Sequence, residues 1–375
     1  MKNLLRNTLI ALSAALTLAS CNDTDDYHGT FLTTDAAIII NQGNQYDGIA
    51  GTMGVFDTHS MVYSANIFEG VNGQSLGDTP QNAIVHGSKV YLPVFGSNVV
   101  WVLDKNTNRI VHTINTNQPE WVDAYKNYLY IANNDGFVTR VDTATWATTQ
   151  LAVGPNPACL VVTRNAVYVT ISDGYNYANN YADGKKVVKI NLDGFVVEKE
   201  IPCGLNPGKI VANSYGQIFL VARGNYKPLS EPDRVPSMIQ EINGSDVISA
   251  TGGRSDLGFT LGMDLAVSNN YLYVIEGDYN NDGTLRGFNY KVFNALGMGL
   301  MTDDKFSVGD RPACPTGIFV DPVTSLVYIT SDPSLTGYNQ QGSVWIFNYD
   351  GALLHHFDAG IHPYAVAFVH GSITQ

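Results

Sequence analysis

Gly154-Pro155-Asn156-Pro157-Ala158-Cys159-Leu160-Val161-Val162 opens the unit that decides the fold, and Gly204-Leu205-Asn206-Pro207 begins it again. Between them a turn at Arg164-Asn165 leads into Ala166-Val167-Tyr168-Val169-Thr170. A long Gly/Asn/Tyr loop follows, then extended runs at Val187 to Asn191 and Phe195 to Ile201, separated by Leu192-Asp193-Gly194. Four short strands rich in Val, Ile and Tyr, joined by turn residues and repeated, are the pattern of a propeller blade.

Working outward, openings of this kind fall at Pro80, Pro119, Pro157, Pro207, Gly262, Pro315 and Pro363, spaced by 39, 38, 50, 55, 53 and 48 residues. An aromatic residue follows each of the first six at 11 to 13 residues: Tyr91, Tyr130, Tyr168, Phe219, Tyr273 and Tyr328. Register is thus held while loop length varies. The seventh opening leaves room for one strand, Ala365 to His370, whereas the N-terminus supplies three without an opening: Ala37 to Asn41, Thr52 to Asp57 and Val62 to Phe68. Pairing the last strand with the first three closes a ring and removes two sheet edges. The expectation is an all-β, seven-bladed β-propeller over 31–375; a solenoid would need no complementary ends.

The N-terminus addresses compartment. Lys2 and Arg6 precede an apolar run from Leu9 to Ala19, too short to span a bilayer and ordered like an export signal. Leu18-Ala19-Ser20-Cys21 resembles a bacterial lipoprotein box, so 1–20 reads as signal peptide, Cys21 as the lipidated residue and 21–30 as an acidic tether. A signal with a chance Cys beside it is the alternative. Net charge is -13, and -15 once Lys2 and Arg6 leave with the leader, which argues against a nucleic-acid partner. Cys159, Cys203 and Cys314 lack metal-ligand spacing; a Cys159–Cys203 disulfide and three buried thiols both fit.

In a four-stranded blade, the connections between blades and those between second and third strands emerge on one face. That face collects the unusual loops, among them Asn117 to Trp121, Gly154 to Pro157, Gly360 to Tyr364, Asn41 to Asp47, Ser172 to Tyr181, Arg223 to Pro228, Asp278 to Asp282 and Gly337 to Gln340. Tyr offers broad contact at little rotamer cost, and Asn and Gly offer adaptable hydrogen bonds, so these loops read as a recognition surface. Catalytic signatures are absent: no Gly-x-Ser-x-Gly, His-Glu-x-x-His or phosphate-cradling loop, and the carboxylate pairs Asp173/Asp183 and Asp278/Asp282 show no division into acid and base. No enzymatic activity and no required cofactor are expected. Asp278-x-Asn280-x-Asp282-Gly283 fits the start of a calcium loop, with Asn289 where a bidentate Glu belongs; a plain Asx-turn loop is the other reading.

The lipoprotein box, the acidic Asn22-Asp23-Thr24-Asp25-Asp26 segment, the YncE-like seven-fold repeat and the Tyr/Asn-rich face together resemble the BtuG family of surface cobalamin-binding lipoproteins of gut Bacteroides. The resemblance spans the mature chain, but its motifs are those of propellers and match no individual ligand contact. It implies an outer-membrane, lipid-anchored protein facing outside that captures cobalamin and other corrinoids and passes them to a BtuB-type TonB-dependent transporter. From loop position and chemistry, Trp121, Tyr175, Tyr177, Tyr181, Tyr226, Tyr279, Tyr338 and Tyr364 are the aromatic candidates. Asn156, Asn176, Asn280 and Asn339 are candidates for fringe amides, Arg223 for the phosphate, and His362 for cobalt or a hydrogen bond. A glycan- or protein-binding propeller and a propeller lyase or quinoprotein enzyme are the alternatives.

Overall fold

Strand-forming runs separated by Asp/Asn/Gly turns fold locally into antiparallel four-stranded sheets, because each turn reverses the chain and each run alternates its side chains between two faces. In the computed structural model of the chain, which describes residues 30–227, 231–248, 259–279, 285–306, 309–337 and 339–374, seven such sheets form, six of them with all four strands among the described residues. From the axis outward, blade 1 is Ile84–His86, Lys89–Val94, Val99–Asp104 and Ile110–Asn115; blade 2 is Pro119–Tyr125, Tyr128–Asn133, Phe137–Asp142 and Thr148–Ala152. Blade 3 is Pro157–Val162, Ala166–Ile171, Lys186–Asn191 and Val196–Pro202, and blade 4 shows Pro207–Ala212, Ile218–Ala222 and Met238–Ile242 among the described residues. Blade 5 is Phe259–Ser268, Tyr271–Tyr279, Leu285–Asn294 and Gly299–Thr302; blade 6 is Cys314–Val320, Val327–Asp332, Gln341–Phe347 and Leu353–Ile361. Blade 7 takes Pro363–Thr374 as its inner strand and Thr30–Asn41, Thr52–Asp57 and Val62–Ser64 as the other three. The chain is a seven-bladed β-propeller closed by its own two ends, as the repeat count requires.

Both faces of every sheet are covered by neighbouring sheets, so the core is a set of interfaces. The periodic aromatics fill them: Tyr91, Tyr130, Tyr168, Phe219, Tyr273 and Tyr328 are all buried, each in a different apolar cluster. The cluster between blades 7 and 1 uses Phe68 instead, with Ile38, Ile40 and Met53. Phe68 also corrects one expectation. The run Val62 to Phe68 is not one strand: it stops at Ser64, Asn66 turns left-handed at φ 50°, and Ile67–Asn72 forms a short α-helix. Helical winding brings Phe68 inward against Trp101, ring centroids 5.6 Å apart, where a continued strand would lie on the blade edge.

Residues 33–371 form one compact unit; the chain ends form a second, of which 30–32 and 372–374 are described, both extended. Cys159, Cys203 and Cys314 are free thiols, so the Cys159–Cys203 disulfide is not formed. Burial pushes Cys159 and Cys203 up to about 12 and Cys314 to about 11. No helix among the described residues is long and apolar enough to cross a membrane, which says nothing of strands.

Candidate functional site

The opening proline of a blade does two things to the backbone beside the axis. The residue before it is left-handed in five connectors: Thr79 (φ 56°), Gln118 (45°), Asn156 (49°), Asn206 (54°) and His362 (52°). Left-handed backbone is costly outside Gly and Asn, so the same turn recurring around one face is imposed by the ring. Its product is constant: each carbonyl accepts the first N–H of a mid-blade loop, from Phe95, Asn134, Ser172, Arg223 and Gln42 respectively, at 2.8 to 3.1 Å. Just after the proline the pairing slips, between Pro119 and Trp121, Pro157 and Cys159, Pro207 and Ile210, and Pro315 and Gly317. Bulges of this kind re-aim side chains, and in blade 2 the residue inside the slip is Glu120.

Glu120 and Arg223 form the charged centre of this mouth. Burial pushes Glu120 up to about 7, against the pull of the Arg223 charge and of a 3.4 Å hydrogen bond donated by Asn134 Nδ2. Burial disfavours the Arg223 charge, but Tyr226, Tyr364 and Glu120 around it outweigh that and hold it above its ordinary value. The guanidinium lies over Gly208, where a Cβ would come within 2.4 Å of Nε, so the glycine is what leaves room for the Arg223 side chain. Burial drives the Tyr364 phenol above its usual range.

Three tyrosines stand out from the face: Tyr46 is 97% exposed, Tyr177 74% and Tyr175 64%. Tyr175, from blade 3, is raised by partial burial and then by Glu120 and by Tyr46, which comes from blade 7 on the other side of the axis. The two phenols are thus within electrostatic reach of each other on this face. Tyr181 is buried and meets Tyr226 edge-on at 6.3 Å, forming the wall beneath.

The asparagines hold these loops. Asn156 Nδ2 donates to Asn134 Oδ1 at 2.7 Å while its Oδ1 accepts Tyr175 N–H at 3.2 Å, completing a path from Tyr175 through Asn156 and Asn134 to Glu120. Asn176 donates to Asp173 and accepts from Asn179; Asn339 pairs with Asn44 and Asp47 across two blades. Asp173 also accepts Asp183 N–H at 3.0 Å and so closes the 172–184 loop.

Trp121 is not on the loop surface. It lines the axial channel, a cavity of about 270 Å³ walled by one inner strand of each blade. Lys209 crosses that channel, its ammonium 4.5 Å from the Phe319 ring centroid, 5.9 Å from that of Trp121 and 2.7 Å from Asp264 Oδ2. Pockets for drug-sized ligands run roughly 300–1,000 Å³, so a larger ligand has to lie on the mouth.

His362 Nδ1 is 2.7 Å from Oδ2 of the buried Asp332, and its ring stacks on Tyr364 at 5.9 Å. Asn280, Asp282, Tyr338 and Cys21 lie outside the described residues, as do the side chains of Asp278 and Tyr279. Among the described residues no three His, Cys, Asp or Glu side chains group to hold a metal ion. Sequence reasoning passed over Glu120, Lys209, Asp264 and Tyr46. The proline preceding Glu120 in a strand-opening bulge was the one available signal for it.

No protein-family model and no curated protein matches the chain. Solved structures do. Kuenenia stuttgartiensis hydrazine synthase is similar at TM-score 0.62 and 14% identity, covering 79% of this chain and 95% of that one. A protein from Lactobacillus plantarum gives TM-score 0.57 at 14% identity, covering 90% and 100%. The computationally designed Ika8 protein gives 0.50 at 13%, covering 76% and 89%. At such identities the likeness is one of fold, and the fold it shows is the seven-bladed β-propeller.

Proposed function

We propose that the mouth captures a large, flat ligand fringed with amides, a corrinoid and cobalamin in particular, outside the cell. The observation that carries this reading is the electrostatic reach of exposed Tyr175 to exposed Tyr46 and to Glu120, which belongs to a polar group with Arg223, Tyr226 and Tyr364. Aromatic planes suit the corrin, the guanidinium suits the nucleotide phosphate, and a channel of about 270 Å³ keeps the ligand on the face. Anchoring through Cys21 and transfer to a TonB-dependent transporter complete the proposal and rest on the lipoprotein box and the family resemblance. Equilibrium dialysis against cyanocobalamin, with polysaccharides as competitors, tests it: retention of the corrinoid alone supports capture, and retention of a polysaccharide alone assigns the face to glycans.

One observation favours a second reading. A half-buried carboxylic acid titrating near neutrality beside an arginine and two phenols is what an acid–base enzyme such as a propeller lyase places in its site. Turnover of a polyuronide by the purified protein, abolished in Glu120→Gln, would support it.

A further inference from the structure

His362 sits at the connector between blades 6 and 7, in the left-handed backbone that precedes Pro363. Its Nδ1 meets Asp332 Oδ2 at 2.7 Å; Asp332 is 3% exposed and its other oxygen, Oδ1, is buried with no hydrogen-bond partner among the described residues. A carboxylate only accepts, so in the neutral imidazole this contact puts the proton on Nδ1 and leaves the lone pair on Nε2. Among the described residues Nε2 has no partner, and a quarter of the side chain reaches solvent. Stacking on Tyr364 ties the ring to the wall that also holds Arg223.

A carboxylate on one imidazole nitrogen, fixing the tautomer and ring orientation and raising the basicity of the other, is the second shell of a metal-bound histidine. One histidine without further ligands does not build a site for a free ion. It does suit a metal that arrives with its equatorial positions already filled and one axial position exchangeable.

Resting on the reading of the mouth as a corrinoid site, we propose that His362 Nε2 is an axial ligand to corrin-bound cobalt and that Asp332 is the residue positioning it. With aquocobalamin the step is a substitution. The Co–O bond breaks and its electron pair leaves with water, the Nε2 pair forms the Co–N bond, and cobalt stays Co(III). Cyanocobalamin, whose cyanide does not exchange readily, binds without it.

The experiment titrates the protein with aquocobalamin and cyanocobalamin and follows the visible bands of the corrin. Expected is a band shift at saturation for aquocobalamin, none for cyanocobalamin, and no shift for aquocobalamin in His362→Asn. Asparagine tolerates left-handed backbone, which guards the fold of that variant. Independently of any variant, the ¹⁵N resonance of His362 Nε2 in the unmutated protein should move on binding aquocobalamin. Binding of aquocobalamin with unshifted bands and an unmoved Nε2, or an equal shift in His362→Asn, overturns the ligation and leaves capture standing. Failure of both corrinoids to bind overturns capture, and the ligation falls with it.

Discussion

The backbone N–H of Tyr175 donates to Asn156 Oδ1 at 3.2 Å, tying the most elaborate loop of the face to the left-handed turn that opens its own blade. Asn156→Gly keeps the left-handed turn and removes the tie. We expect cobalamin affinity to fall about three- to tenfold, on the order of 1 kcal/mol, with little change in Tm. Asn156→Ala should lose about 1 kcal/mol of stability relative to Asn156→Gly, because alanine has a Cβ at φ 49° without the asparagine amide that offsets it. Parallel titrations and thermal melts separate the two effects.

Tyr46 and Tyr175 stand in solvent and support no core, so Tyr46→Ala and Tyr175→Ala should leave Tm unchanged. Each should weaken capture by about 1–2 kcal/mol, roughly five- to thirtyfold, if they grip one ligand from two sides. The double variant should lose less than the sum, since residues sharing a partner couple. No loss in either single variant would place the ligand elsewhere; full additivity would mean that the two rings contact it independently.

Glu120 titrates near 7 in the folded protein against about 4.5 as an ordinary carboxyl. Its folded value is raised, so between those limits the folded state holds a proton that the unfolded state has lost. Its contribution to stability is therefore greatest below about 4.5 and declines as pH rises to about 7, above which it is flat. Glu120→Gln should remove this part of the slope of Tm against pH. An unchanged slope would mean that folding leaves the Glu120 titration where it is in the unfolded chain.

Lys209 and Asp264 are each only 13% exposed and link blades 4 and 5, while Asp264 also accepts Ile318 N–H at 2.9 Å from blade 6. Asp264→Ala strands an ammonium in the channel and should cost about 3–5 kcal/mol. Replacing both, Lys209→Met with Asp264→Asn, should recover much of that loss, as denaturant unfolding would show.

The ring was legible because its determinants are periodic. A proline and an aromatic recur at nearly constant separation, and the aromatics proved to be the interface-filling residues from Tyr91 to Tyr328. The helix at Ile67–Asn72 was not, because Ile67-Phe68 fits a strand until the left-handed Asn66 interrupts it. The face of the loops followed from strand order, and so did Tyr175, Tyr177 and Tyr226. The charged centre did not. Glu120 sits in the slip of its strand and feels the Arg223 charge, and Arg223 has room for its guanidinium because Gly208 lacks a side chain. Trp121 was misplaced for the same reason, since the slip after Pro119 carries it into the channel. Asn156, Asn176 and Asn339 looked like ligand contacts by composition, but loops of this length consume amides to hold their own shape.

Corrinoid capture at the mouth is decided by calorimetric titration of the purified protein with cyanocobalamin. Saturable one-to-one binding at micromolar affinity or tighter, weakened in Tyr46→Ala and Tyr175→Ala, is expected. No heat and no change in corrin absorbance with protein and ligand at tens of micromolar would contradict it.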